Sequence, residues 1–187
     1  MSTHRSDKNL TSITVFCGSS TGVRPAYREA AAAFGRMLAG EGIDLVYGGG
    51  NVGLMGVLAD AALAAGGRVV GVMPQRLVDL EIAHQGLTEL HVVADMHERK
   101  AGMAARGDAF VALPGGPGTM EEFFEAWVWH RLGVHEKPVG LLNVDGYYDG
   151  LNSFLDRMTR EGFMDDYYRG IVVVEPDPAR LIARLRG

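Results

Sequence analysis

Seven short apolar runs, rich in β-branched residues and separated by stretches of helical periodicity, constrain this chain more than any other feature. They read ITVFCG (13–18), IDLVYGG (43–49), RVVGVMP (68–74), ELHVVAD (89–95), DAFVALPGG (108–116), PVGLLNV (138–144) and GIVVVE (170–175). Several are apolar at successive positions and not only at alternate ones, the pattern of strands with helices on both faces. Helical patterns fill the gaps over 25–41, 52–66, 95–106, 119–134, 149–161 and 177–186, with a short helix and loop over 75–87. The alternation predicts a doubly wound, Rossmann-like α/β fold with a mostly parallel sheet. At 187 residues the chain can bury one substantial core, so residues 11–187 are expected to form a single domain behind a flexible polar tail, 1–10.

The balance of 47% hydrophobic and 22% charged residues is that of a globular protein. A net charge of -5 without any basic cluster gives no footprint for a nucleic acid polymer or an anionic membrane. No apolar run reaches spanning length, and the start, MSTHRSDKNL, lacks the apolar core of a signal peptide. One cysteine, Cys17, excludes an internal disulfide and fits a reducing cytoplasm. The histidines show no ligand spacing, so no metal is expected.

In open parallel sheets, ligands bind beyond the carboxyl ends of the strands. Three loops there are glycine-rich: Cys17–Gly22 after the first strand, Gly48-Gly49-Gly50-Asn51-Val52-Gly53 after the second, and Pro114-Gly115-Gly116-Pro117-Gly118-Thr119 after the fifth. Any one of them could be only a tight turn. Together, each opening a helix on the same edge, they point to backbone N–H groups and helix N-termini gathered around a phosphate. Gly48, Gly50 and Gly53 do spell GxGxxG, but after the second strand, and the next strand has no acid at its end until Asp79 to hold a ribose. A dinucleotide cofactor is therefore disfavoured. So is a P-loop, since no GxxxxGK[ST] occurs, and a monophosphate ligand is the simplest occupant.

Two further segments carry candidate chemistry. In Met96-His97-Glu98-Arg99-Lys100, the cations Arg99 and Lys100 lie between Met96 and Met103 on a face that an amphipathic helix would keep apolar. They either snorkel to water or meet an anionic partner. Thr119-Met120-Glu121-Glu122 matches a capping box, with Glu122 reaching back to the cap amide; alternatively Thr119 serves the phosphate and Glu122 is free for chemistry. Farther along, Met120, Phe123, Phe124, Trp127 and Val128 form a core stripe, with Trp129 off it, either exposed or facing a second buried surface.

Taken together, VFCGSS, LVYGGGNVGLMG, GVMP, MHERK and PGGPGTMEE resemble the LOG family of cytokinin-activating phosphoribohydrolases, once labelled lysine decarboxylases, whose signature is PGGxGTxxE. The resemblance covers most of the chain. It implies hydrolysis of the N-glycosidic bond of a nucleoside 5′-monophosphate without a cofactor, with Arg99 and Glu122 as the catalytic pair. It further implies that Gly115, Gly116, Gly118 and Thr119 hold phosphate, that Ser19 and Gly48, Gly49 and Gly50 line the pocket, and that the protein is a homodimer with sites near the interface. Met96 and Lys100 join the expected substrate contacts. Pro117 occupies the variable signature position and removes one N–H. The rival readings are a nucleotide-sensing or carrier module that binds without hydrolysis, and a decarboxylase. The latter needs a pyridoxal-bearing lysine, and neither Lys8, Lys100 nor Lys137 has a recognisable setting for one.

Overall fold

A computed structural model describes residues 9–80 and 82–187. The expected tail therefore lies largely outside the described residues, although Leu10, within its expected bounds, is buried in the core. Each of the seven apolar runs contains a strand: β1 (Ser12–Phe16), β2 (Asp44–Tyr47), β3 (Val69–Pro74), β4 (Glu89–Val93), β5 (Ala109–Ala112), β6 (Val139–Leu142) and β7 (Val172–Glu175). They form one sheet in the order β4-β3-β2-β1-β5-β6-β7, with every neighbouring pair parallel. The chain winds outward from β1 to β4, then returns to place β5 on the other side of β1. The topological switch point lies between β1 and β5.

Both faces of the sheet are covered, which is why the strands read as continuous apolar runs. Ile13 and Val15 of β1, Leu45 and Tyr47 of β2 and Val111 of β5 face one core, closed by α1 (Pro25–Gly40), α2 (Gly53–Ala64) and α8 (Pro178–Arg186). Phe16, Val46, Phe110 and Ala112, pointing the other way as strand alternation requires, face a second core. That core is closed by α4 (Met96–Arg106), α5 (Pro117–Arg131) and α6 (Asp149–Arg160). Two short helices, α3 (Gln75–Asp79) and α7 (Asp166–Gly170), complete the fold. The sequence pattern contained α3 but not α7.

The α5 stripe is partly as expected. Phe123 and Trp127 are fully buried, each stabilising the fold by about 2 kcal/mol on area grounds. Met120 and Phe124 are half-buried, but Val128 is 43% exposed, and Ala126 takes the core position instead. Burial in α5 thus turns toward α4 at its C-terminal end. Trp129 follows that turn, lining a narrow gap with Phe16, Phe110, Lys100 and Glu122 of the same chain.

Candidate active site

The glycine loops meet at the switch point. Gly18 N donates to Pro114 O at 3.1 Å, tying the β1 loop to the β5 loop, and Leu54 N donates to Gly18 O at 2.9 Å, tying in the start of α2. Gly53 makes the second contact possible. Its φ of +59° is a left-handed conformation, and a Cβ there would fall 2.2 Å from the carbonyl carbon of Ser19. Over these loops opens a crevice of about 260 Å³, lined by Ser19, Gly22, Tyr27, Gly115, Gly116 and Tyr147.

The capping-box reading of Thr119 and Glu122 is not what forms. Proline at position 117 starts α5 two residues earlier than expected, because its fixed φ suits the first helical position. The N-cap is Gly116, and no side chain caps the helix. Thr119 therefore lies inside the first turn, buried, with its hydroxyl packed against the Cα of Gly115. The N–H groups of Gly118 and Thr119 fall in the turn where a helix has no internal acceptors, and they carry the positive end of the helix dipole. With Ser19, Gly115 and Gly116 alongside, this arrangement can accept a phosphate.

Freed from capping, Glu122 faces Arg99. The α4 helix that carries Arg99 is started by Asp95, whose carboxylate accepts from His97 N at 2.8 Å and Glu98 N at 2.9 Å. Arg99 then reaches inward under the loops. Its Nε donates to Val72 O at 3.2 Å and its Nη2 to Gly48 O at 3.0 Å, while Nη1 lies 3.6 Å from Glu122 Oε1. The two side chains are only 11% and 13% exposed. Burial raises the Glu122 pKa above the ordinary carboxylate range, and the Arg99 charge offsets part of that rise. Cys17, buried next to this carboxylate, is pushed well up by burial and by Glu122, so its thiol stays protonated and is no nucleophile.

The other expected contacts divide. Gly48, Gly49 and Gly50 are buried and are not among the residues that line this crevice. Gly49 O accepts from His84 N and Gly50 O from the Tyr47 hydroxyl, so this turn is a support for the site. Gly48 is glycine for a reason of space, since a Cβ there would lie 1.8 Å from Arg99 Nη2. Gly48→Ala is therefore expected to displace the guanidinium and cut turnover by about 10²-fold, the order of loss that a misplacement of about 1 Å can bring; steady-state rates on the purified variant check it. Met96 is 43% exposed, with its sulfur 3.9 Å from Arg99 Nη1.

Lys100 does meet anionic partners, but on α5. Its Nζ lies 2.5 Å from Glu121 Oε1 and 3.1 Å from Glu125 Oε1, and the Glu121 hydrogen bond leads in raising its pKa. It braces α4 against α5 at the level of the Arg99–Glu122 pair. A charged lysine held between two carboxylates is poorly suited to form a Schiff base. Lys137 lies elsewhere, its Nζ donating to Ala104 O, and Lys8 is outside the described residues. Among the described residues, no group of three or more His, Cys, Asp or Glu side chains could hold a metal ion, and no helix is long and apolar enough to cross a membrane.

Sequence reasoning missed Tyr147 and Tyr148. Their hydroxyls donate to Gly115 O and Leu113 O, both at 2.6 Å. The signal was the pair itself, Tyr147-Tyr148, following a sixth strand on the same edge of the sheet.

Fold and site together define a doubly wound α/β protein with an anion-accepting crevice at its switch point and a buried arginine–carboxylate pair beside it. The family model described as "possible lysine decarboxylase" matches residues 55–185. A probable cytokinin riboside 5′-monophosphate phosphoribohydrolase of Oryza sativa subsp. japonica is 51% identical over 173 residues, 92% of this chain and 69% of its own length. A cytokinin riboside 5′-monophosphate phosphoribohydrolase of Arabidopsis thaliana is likewise 51% identical, over 92% of this chain and 80% of its own. This chain belongs to that family, the LOG phosphoribohydrolases. Among solved structures, the molybdenum cofactor carrier protein of Chlamydomonas reinhardtii superposes with a TM-score of 0.69 at 24% identity, covering 94% of this chain and 95% of its own. That likeness is one of fold.

Proposed function

We propose that the protein hydrolyses the N-glycosidic bond of a nucleoside 5′-monophosphate, a cytokinin riboside monophosphate or AMP, releasing free base and ribose 5-phosphate. The observation that carries this reading is the buried Arg99–Glu122 pair beside the glycine crevice, in a chain about half identical to named phosphoribohydrolases. The phosphate binds at Ser19, Gly115, Gly116 and the N–H groups of Gly118 and Thr119, which places the ribose toward Glu122. As the C1′–N bond breaks, positive charge grows at C1′. The Glu122 carboxylate stabilises that charge and takes a proton from the attacking water, whose oxygen bonds to C1′. The bonding electrons leave with the base, which takes up a proton from solvent, and Glu122 returns the proton it took from the water to solvent, so that one water is consumed overall. Arg99 orients the carboxylate and the substrate from the opposite side.

Phosphate contacts remote from C1′ supply binding energy that positions the sugar, so nucleosides lacking phosphate are expected to react at least 10²-fold more slowly. Incubation with AMP, isopentenyladenosine monophosphate and the matching nucleosides, with free base followed by chromatography, tests this. Base release from no monophosphate would overturn the enzyme reading, and binding without release would make the protein a carrier. The buried, unpaired thiol of Cys17 suits a reducing compartment, and we place the protein in the cytoplasm. We also assign it a homodimeric state, supported by the exposed apolar side chains Val128, Leu132 and Val134 at the end of α5. Light scattering at micromolar concentration is expected to give twice the 20.1 kDa chain mass.

A further inference from the structure

The site proposed above depends on loops that present their N–H groups in fixed directions, and one side chain outside those loops sets a direction. Three successive carbonyls of the β5–α5 turn are held from elsewhere. Leu113 O accepts from the buried Tyr148 hydroxyl at 2.6 Å, Pro114 O from Gly18 N at 3.1 Å, and Gly115 O from the Tyr147 hydroxyl at 2.6 Å. A trans peptide unit points its N–H opposite to its C=O, so each held carbonyl aims the N–H of the next residue. Holding Pro114 O aims Gly115 N–H, and holding Gly115 O aims Gly116 N–H. Holding Leu113 O aims nothing, because residue 114 is proline and has no N–H.

Tyr147 is itself firmly placed. It follows a 3-10 turn, Val144–Gly146, in which Asp145 has a φ of +50°, a left-handed conformation uncommon outside glycine. Asn143 locks the turn, accepting from Tyr148 N at 2.7 Å while its amide donates to Asp149 Oδ1 at 2.7 Å. The Tyr147 ring stands edge-on to Tyr27 at 5.5 Å and to Tyr148 at 4.9 Å, and it is 42% exposed where it lines the crevice. Strained backbone held by surrounding contacts of this kind gathers at functional sites.

We propose that Tyr147 is a positioning residue for a phosphate monoester. By holding the Gly115 carbonyl, its hydroxyl aims Gly116 N–H to act with the N–H groups of Gly118 and Thr119, and so favours phosphorylated over unphosphorylated riboses. The proposal rests on the nucleotide reading of the crevice but not on hydrolysis. It is tested by titration calorimetry with ribose 5-phosphate, and with adenine as a ligand that lacks phosphate. Tyr147→Phe keeps the ring and is expected to bind ribose 5-phosphate about tenfold more weakly, with adenine binding unchanged. Tyr148→Phe is expected to lower the melting temperature yet leave ribose 5-phosphate binding intact, since the unit it holds carries no N–H. Binding of ribose 5-phosphate within twofold of the parent in Tyr147→Phe would overturn the proposal. So would equal losses in both variants, which would make the tyrosines simple braces, or no binding to the parent at all. A parent that binds ribose 5-phosphate but releases no base from any nucleotide would remove the hydrolase reading and leave the role of Tyr147 standing.

Discussion

Glu122→Gln is expected to lower kcat for base release on the order of 10³-fold, within the range for loss of a positioned base, while the melting temperature at neutral pH falls less than in Arg99→Met. Both halves turn on the buried carboxylate. Burial raises the pKa of Glu122, which means that the folded protein resists the ionised form more than the unfolded chain does. A group with a raised pKa contributes stability below its unfolded value, and that contribution is lost as pH rises through the folded value. At neutral pH the carboxylate is therefore held at a cost to stability. A neutral amide of the same shape removes that cost along with the chemistry but leaves the Arg99 guanidinium buried without its anion, and the two effects on stability oppose each other. Product chromatography and a thermal melt on one preparation check both halves. Full activity in the variant would return Glu122 to a merely structural role.

Arg99→Met is expected to be damaging in both respects. Removing one partner of a buried ion pair costs about 3 kcal/mol, and here it also leaves the carbonyls of Gly48 and Val72 without their donors. Turnover is expected to fall by about 10²-fold or more through loss of electrostatic stabilisation. A third consequence separates this variant from simple unfolding. The Arg99 charge lowers the Glu122 pKa against the effect of burial, so without it that pKa rises further. The acid limb of the residual kcat/KM profile should then move to higher pH than in the parent. An unshifted limb would mean that Glu122 does not carry the acid limb.

The sheet was legible because its physics is local. A strand covered on both faces must be apolar at successive positions, and β1, β3, β5 and β6 are buried along their whole length. Helix α7 was not legible, since DYYRG is polar, five residues long and started by the Asp165 carboxylate. Within the site, the three glycine loops and the unusual cations were visible, and so was the choice those cations faced between water and an anionic partner. What could not be read was which acid each would meet. Glu121, Glu122 and Glu125 are neighbours in sequence, and only the crossing of α4 and α5 assigns Glu122 to Arg99 and the other two to Lys100. The capping-box alternative does not form, for a local reason, a proline that starts the helix early. The reason for a glycine at position 48 is a distant one, because the side chain that needs its space comes from residue 99.

Two of the groups that hold Arg99 are the main-chain carbonyls of Val72 and Gly48. Every residue type supplies the same carbonyl, so the anchor places no demand on the side chain at position 72 beyond its fit in the core. Position 48 is different, because there the guanidinium occupies the room of a side chain. Strand β3 can therefore drift in sequence over evolutionary time without unseating the central cation, whereas Gly48 cannot. A library of variants selected for activity should accept Val72→Ile and reject any side chain at 48.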